Sequence, residues 1–284
     1  MKIGTRPLGE NLGLEVLDVD LTEVDEETFA AIRDLWRQEP LLLLRRQFIT
    51  ESELAAFSAR FGDLFTVPHY ANARRHPEVM YVSNLQTGTG ERLGSLSNSE
   101  LNWHSDQSYQ VRPATGAIFH AIEMPEDAGA TSWCSMQLAF EALPPETQAE
   151  LEHLEGISRY NGYERENIPE EEKEKIRAQY PEVNHPLVLR VPGTEGKTLY
   201  LDISITSGIV GMEPERSQAL LRELGAVITR PEFTYTHHWR GGDLMLWDNG
   251  RTLHRRDGFD PALPRLAKRT TIHLPPGHFP VPPG

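Results

Sequence analysis

The chain of 284 residues has one cysteine, Cys134, so it cannot form an intrachain disulfide. Cations are in the minority, with 28 lysines and arginines against 42 aspartates and glutamates, and the formal net charge is −14. Because nucleic acids and anionic membrane surfaces attract clustered cations, this balance argues against both as partners. Long apolar runs are missing as well: a run such as Leu41–Leu44 is far too short to cross a bilayer.

Residues 1–16, MKIGTRPLGENLGLEV, lack the apolar core of a secretory signal peptide. Together with the single cysteine, this predicts a protein of the reducing cytoplasm. Hydrophobic residues make up 38 % of the chain and charged residues 25 %, which is typical of a globular protein with a sizeable core. The sequence shows no internal repeat and no low-complexity tract.

Capping residues and apolar stripes predict four helices, which begin near residues 26, 51, 146 and 214. Asp25 is placed to cap the first, whose Phe29 and Trp36 share a face. Thr50 and Glu53 form a capping box at the start of the second.

The second half of the chain is dominated by segments with the patterning of strands: HPLVLRV, KTLYLDI, EFTYTHHW, DLMLWDN and RLAKRTTIHL. Many strands, few helices and no strand–helix–strand rhythm predict a mostly β fold with flanking helices, as a single domain over residues 1–284. Two long polar stretches, residues 86–100 and 161–181, are expected to be mobile loops or lids.

A histidine and an aspartate lie two residues apart in the segment NWHSDQSYQ, residues 102–110. In a strand, residues i and i+2 point to the same face, so His104 and Asp106 are expected to project into one space. One such pair is weak evidence for a metal site, since surface pairs are common. The chain repeats the pattern in HPE at residues 76–78 and HLE at residues 153–155.

A third candidate ligand and two arginines lie near the C-terminus, in WDNGRTLHRRDGFDPALPRLAKR. His254 follows a turn, and Arg265 and Arg269 are four apart in a predicted strand, so both arginines are expected to face one cavity. Two histidines and one carboxylate leave positions open for a chelating cosubstrate and oxygen, which suits non-haem Fe(II). Paired guanidinium groups suit carboxylates.

These motifs resemble those of the taurine dioxygenase and 2,4-dichlorophenoxyacetate dioxygenase family of Fe(II)/2-oxoglutarate-dependent oxygenases. The resemblance covers nearly the whole chain and includes GLEVLDVDL, LLLLRRQFIT, FSARFGDL, NWHSDQSY, AGATSWCSMQLAFEAL and NHPLVLRV. It implies a double-stranded β-helix, or jelly-roll, core. It also implies an enzyme that uses Fe(II), with 2-oxoglutarate and O2 as cosubstrates.

The family pattern assigns a role to each matched position. It implies that His104, Asp106 and His254 bind the iron, and that Thr131 and Arg265 hold the distal carboxylate of 2-oxoglutarate. Two departures nearby, Ala130 in GAT and Gly250 in WDNG, leave these residues in place and are expected to alter packing only.

At the positions that contact the substrate in the taurine enzyme, this sequence departs from the family pattern. Arg269 and Tyr70 match substrate-contacting residues of the taurine enzyme, but Val67 stands where that enzyme has a histidine, and His69 is a candidate to replace it. Glu100 stands where the taurine enzyme has an asparagine. The lost cation and the added carboxylate argue against taurine as the substrate.

The expected reaction is oxidation of a small-to-medium organic acid, with C–O or C–S cleavage where the hydroxylated carbon carries oxygen or sulfur. One alternative is an oxygenase of secondary metabolism from the same family, which desaturates or epoxidises. Others are a Zn(II) hydrolase, which would have no use for Thr131 and Arg265, and a non-catalytic jelly-roll binding protein. The expected partners are a small anionic substrate and further copies of this chain in a homo-oligomer.

Overall fold

The computed structural model describes residues 3–67, 75–94, 96, 98–161 and 168–283. Within these residues the chain forms six α-helices: α1 (Glu26–Gln38), α2 (Glu51–Ala59), α3 (Met136–Glu141), α4 (Pro145–Leu151), α5 (Glu170–Gln179) and α6 (Pro214–Ile228). None of the helices described has the length and the apolar composition that a bilayer span requires.

The same residues form seventeen β-strands: β1 (Thr5–Pro7), β2 (Leu14–Val16), β3 (Leu41–Leu44), β4 (Asp63–Leu64), β5 (Met80–Ser83), β6 (Leu101–His104), β7 (Gly116–Glu123), β8 (Thr131–Ser135), β9 (Glu155–Ser158), β10 (Val183–Pro186), β11 (Val188–Arg190), β12 (Lys197–Leu199), β13 (Thr206–Ile209), β14 (Thr234–His237), β15 (Leu244–Asp248), β16 (Thr252–Arg256) and β17 (Leu266–His273). Each of the five strand-like segments of the second half contains at least one of them.

Two sheets face each other across an apolar layer. The larger has the strand order β1-β2-β3-β15-β7-β17-β4, with β5 paired to β17, and the smaller has the order β14-β8-β16-β6. Trp133 from the smaller sheet and Trp247 from the larger pack into the same buried cluster between them. The prediction of a mostly β fold with flanking helices is confirmed.

The apolar run in β3 follows from burial of both faces of the larger sheet. Leu41 and Leu43 point into the layer between the sheets, whereas Leu42 and Leu44 join the cluster that α1 and α2 build on the outer face. Trp36 of α1 is fully buried in that outer cluster. Because neither face meets water, the alternation of apolar and polar residues is lost, as expected for a doubly covered strand.

The outer face of the smaller sheet is covered by α3, α6 and the β11–β12 hairpin. Cys134 and Leu253 of the sheet pack there against Phe140 and Leu224 of the helices. Burial raises the pKa of the Cys134 thiol to about 12, so the thiol stays protonated and packs as a small apolar group.

The caps predicted for α1 and α2 are confirmed: Asp25 accepts from the backbone of Thr28, and Thr50 forms a capping box with Glu53. The expectation that residues 161–181 are loop is wrong for α5, whose ten residues bury no side chain. A helix that is polar all round has no apolar stripe from which the sequence could predict it. The six-residue α3 was missed because it is too short to show a helical period.

The family motif has an arginine directly after Trp-Asp-Asn, whereas this chain has Gly250 there and an arginine one position later, at Arg251. Both residues are buried. A Cβ at Gly250 would lie 2.1 Å from the carbonyl oxygen of Pro280. The buried Arg251 donates from Nε to Asp248 Oδ2 at 2.7 Å and from Nη2 to the carbonyl oxygen of Trp36 at 2.7 Å. This arginine therefore neutralises a buried carboxylate and joins the last turn of α1 to β15.

We expect Arg251→Leu to destabilise the protein by roughly 3–5 kcal/mol, because it leaves the Asp248 carboxylate buried without its partner. Urea unfolding followed by circular dichroism measures the change. The control is Arg33→Ala on the exposed face of α1, which is expected to stay within about 0.5 kcal/mol of the wild type. A loss for Arg251→Leu as small as that of the control would contradict this account.

Candidate metal centre

Adjacent strands of the smaller sheet bring two histidines together. His254 of β16 is the register partner of His104 at the end of β6, and their ring centroids are 4.1 Å apart. On its other side His254 is the register partner of Trp133, whose ring lies between the two sheets. Since directly paired residues share a face, both imidazoles lie on the inner face of the smaller sheet.

Asp106 is not on the strand, so the shared strand face predicted for His104 and Asp106 is wrong. Strand β6 ends at His104, and Asp106 lies in a turn in which Gln107 takes a φ of 56°. The carboxylate still reaches both rings: Oδ1 is 4.0 Å from His104 Nε2, and Oδ2 is 3.9 Å from His254 Nε2. Ligand atoms of these three residues all lie within 4.8 Å of one another.

Each histidine has a ring nitrogen that can bind a cation. The Nδ1–H of His104 donates to the carbonyl oxygen of Asn102 at 2.7 Å, which leaves Nε2 as the nitrogen that can bind a cation. Burial, together with the nearby His104 and Arg269, holds the pKa of His254 well below its usual value, which favours its neutral form. The neutral imidazole is the form in which histidine binds metals.

Asp106 is an ionised carboxylate in spite of its burial. Burial alone, the largest single influence, would raise its pKa. Arg269, whose Nη1 donates to Oδ1 at 2.9 Å, acts together with the two histidines and Asn249 to hold the pKa well below the usual range. Asn249 Nδ2 donates to Oδ2 at 3.3 Å. One carboxylate and two imidazoles form a donor set that suits a divalent transition-metal ion.

Sequence reasoning missed the side chains that hold the turn carrying Asp106. Oδ2 of the buried Asp202 accepts from Ser105 N at 2.9 Å and from Ser108 Oγ at 2.6 Å. His185 Nε2 donates to the carbonyl oxygen of Ser108 at 3.0 Å. Asp202 lies 97 residues from Ser105, and His185 lies 77 residues from Ser108, so no spacing pattern in the sequence connects them.

Arg265 lies against the segment that carries Thr131. Its Nη1 donates to the carbonyl oxygen of Gly129 at 2.8 Å, and a Cβ at Gly129 would lie only 2.6 Å from that nitrogen. Gly129 also has a φ of 63°, so both its conformation and this contact favour glycine. The hydroxyl oxygen of Thr131 accepts from Trp239 Nε1 at 2.8 Å.

The Arg265 guanidinium is buried without a complete set of partners. The residue is 1 % exposed, and within the part of the chain that the structure describes its Nε has no hydrogen-bond partner. Burial, with the neighbouring Arg256, lowers its pKa to about 10, so it remains a cation at neutral pH. A buried cation of this kind is stabilised when an anion bonds it.

The two arginines of the C-terminal segment contact different groups. Arg265 and Arg269 each lie two residues from Ala267, which points into the layer between the sheets. Arg269 pairs with the carboxylate of Asp106, whereas Arg265 bonds the backbone at Gly129.

A cavity of about 480 Å³ is lined by two of the three candidate ligands, His104 and Asp106. Its walls include Glu100, Leu101, Tyr109, Tyr160, Ile205 and Arg269.

The predicted substrate residues are only partly described. Glu100 pairs with Arg255 at 3.2 Å, whereas Arg269 pairs with Asp106 at 2.9 Å. His69 and Tyr70 lie outside the described residues.

We expect alanine at His104, Asp106 or His254 to weaken Mn(II) binding by more than about 100-fold, since each substitution removes a ligand rather than one of its supports. Isothermal titration calorimetry measures the affinity, and circular dichroism checks the fold. His76→Ala is the matched control, because His76 belongs to another histidine–acid pair, in which it bonds Glu78 and Ser52 away from this site. One equivalent of Mn(II) bound with wild-type affinity in any of the three variants would rule that residue out as a ligand.

The chain is similar to proteins of one family over almost its full length. Residues 4–271 match the family described as "Taurine catabolism dioxygenase TauD, TfdA family". The chain is 31 % identical to the alpha-ketoglutarate-dependent 2,4-dichlorophenoxyacetate dioxygenase of Cupriavidus pinatubonensis, over 95 % of this chain and 98 % of that protein. It is 32 % identical to the pentalenolactone F synthase of Streptomyces arenae, over 89 % of this chain and 87 % of that one.

The fold is shared with solved structures. A taurine dioxygenase from Burkholderia xenovorans superposes with a TM-score of 0.79 at 30 % identity, over 99 % of this chain and 96 % of that one. The jelly-roll core implied by the sequence is thereby confirmed. The chain belongs to the TauD/TfdA family, and it is an oxidoreductase of the dioxygenase class that depends on Fe(II), 2-oxoglutarate and O2.

Proposed function

We propose that the chain oxidises a small-to-medium organic acid and that His104, Asp106 and His254 bind its Fe(II). The observation that carries the proposal is the convergence of two imidazoles on one buried carboxylate beside an open cavity that His104 and Asp106 line. The chemistry that bound Fe(II) supplies in this family is the conversion of 2-oxoglutarate and O2 to succinate and carbon dioxide, coupled to oxidation of the substrate. The protein supplies the geometry and the exclusion of side reactions.

We assign the distal carboxylate of 2-oxoglutarate to Arg265 and Thr131. Arg265 is a buried cation with an Nε that no described residue bonds, and such a group gains most from a bidentate carboxylate. The Thr131 hydroxyl uses its oxygen to accept from Trp239, so its proton is available to donate. A hydrolase would need neither residue, which argues against the zinc alternative.

We expect Arg265→Ala to raise the 2-oxoglutarate requirement at least about 30-fold, because a buried carboxylate without its partner costs about 2–5 kcal/mol. The requirement for the organic substrate should change far less. Succinate release at varied 2-oxoglutarate measures the effect. Lys268→Ala is the control: Lys268 is the nearest cation on β17 and pairs with Glu51 instead. An unchanged 2-oxoglutarate requirement in Arg265→Ala would transfer the role to Arg269.

We assign the acidic group of the organic substrate to Arg269. It lines the cavity, and although its Nη1 bonds Asp106, its Nε has no hydrogen-bond partner among the described residues. A guanidinium presents five N–H donors in a fixed fork, so it is able to hold a ligand carboxylate and a substrate anion together.

We expect Arg269→Gln to raise the substrate requirement strongly while substrate-independent 2-oxoglutarate turnover persists. Glutamine keeps an N–H donor for Asp106 but removes the charge that an anionic substrate needs. The test is anaerobic reconstitution with Fe(II) and 2-oxoglutarate, followed by a screen of organic acids for stimulated succinate release. Lys268→Ala again serves as the control. Equal stimulation of wild type and Arg269→Gln by the same acid would show that the substrate's anion is bound elsewhere.

A second candidate function is a desaturation or epoxidation in secondary metabolism. It is favoured by the 32 % identity to a pentalenolactone F synthase, which is as high as the identity to the herbicide-degrading relative. Mass analysis of the oxidised product identifies desaturation, which removes two hydrogens. Hydroxylation and epoxidation each add one oxygen, and NMR of the product separates them.

We further propose that residues 1–284 act as one catalytic domain, that the enzyme is cytoplasmic and that it assembles as a homo-oligomer. The first point is supported by the family match over residues 4–271. The second is supported by the sequence, since its only cysteine is buried and unpaired. Light scattering on the purified chain measures the third.

A further inference from the structure

Asp202 lies beside the metal centre but is not one of the ligands. It lines the same cavity as His104 and Asp106 and is 4 % exposed. A carboxylate this deeply buried has to be surrounded by donors. The groups that donate hydrogen bonds to Asp202 lie on two different segments of the chain, so its carboxylate connects these segments.

One oxygen of Asp202 holds the turn that carries the metal-binding carboxylate. Oδ2 accepts from Ser105 N, the residue before Asp106, and from Ser108 Oγ, two residues after it. Because Gln107 between them has a positive φ, the turn is not a conformation that these residues adopt by preference. The two hydrogen bonds, one from each side of Asp106, therefore fix the position of its backbone and Cβ.

The other oxygen holds the wall of the cavity. Oδ1 accepts from Ser204 N at 2.9 Å and from Ser204 Oγ at 2.7 Å. Ser204 and Ile205 both line the cavity, and the carbonyl oxygen of Ser204 accepts in turn from Asn161 Nδ2 at 3.0 Å. One carboxylate thus joins the ligand turn to a part of the cavity that would contact substrate.

We propose that Asp202 is a positioning residue that sets the orientation of Asp106 and ties it to the Ser204–Ile205 wall of the cavity. This inference rests on the proposed role of Asp106 as a metal ligand. It predicts that changes at Asp202 alter the metal centre itself, beyond any loss of stability. Ser108 transmits this effect on the ligand side, and Ser204 on the wall side.

The test uses Co(II), whose affinity and visible spectrum report on its ligands. We expect Asp202→Asn to weaken Co(II) binding by about tenfold or more and to change the spectrum. In the wild type each oxygen of Asp202 accepts from a backbone N–H, so the NH2 group of asparagine has to face one of these donors and loses that hydrogen bond. Ser108→Ala removes one of the two hydrogen bonds on the ligand side, together with the contact of Ser108 Oγ with the carbonyl oxygen of Ser105, and leaves the wall side intact. It is expected to weaken Co(II) binding several-fold, and it decides the matter if Asp202→Asn does not fold.

Ser217→Ala is the matched control, because Ser217 Oγ also accepts from a buried backbone N–H, that of Ile209, but on α6. It is expected to lower the melting temperature while leaving the Co(II) affinity and spectrum at wild-type values. Asp202→Asn and Ser108→Ala with wild-type Co(II) affinity and spectrum would overturn the proposal. If instead the wild type and His254→Ala bind Co(II) alike, the proposed metal site itself fails.

Discussion

A carboxylate buried between two sheets is stable only where cations and donors surround it, and the arrangement around Asp106 follows from this constraint. Asp106 is 7 % exposed and has Arg269 on one oxygen and Asn249 near the other. The guanidinium keeps the site from carrying an uncompensated negative charge before a cation binds. The lowered pKa of His254 favours its neutral form, and one carboxylate with two imidazoles is a donor set that a divalent transition-metal ion prefers.

The scaffold supplies the three candidate ligands in two ways. The histidines come from paired strands, so the register of β16 and β6 fixes their separation, and the sheet beneath them is anchored by the buried tryptophans. Asp106 comes from a turn, which a strand register cannot position. Its placement depends instead on side chains from distant segments, chiefly Asp202, His185 and Asn249. The turn is therefore the part of the centre most open to adjustment by neighbouring residues.

The sequence predicted what depends on local chemistry. The caps of α1 and α2 and the types of the candidate metal-binding side chains were evident from the sequence, and the family motifs supplied the roles proposed for Thr131 and Arg265. The polar helix α5 gave no periodic signal, and the strand pattern around His104 did not reveal that Gln107 turns the chain. Contacts made across the fold were out of reach. The pair between Arg269 and Asp106 spans 163 residues, so only the folded chain shows that this arginine serves a ligand as well as the cavity.

The central claim is that the buried carboxylate and the two imidazoles hold Fe(II) in a form that 2-oxoglutarate chelates. The most direct measurement is an anaerobic titration of the wild-type chain with Fe(II) and then 2-oxoglutarate, followed by the visible charge-transfer absorption of Fe(II) chelated by a 2-oxo acid. The account predicts that the absorption saturates at one Fe(II) and one 2-oxoglutarate per chain and is lost, with release of succinate, on exposure to O2. Fe(II) bound without this absorption, or absorption that persists in air without succinate, would contradict it.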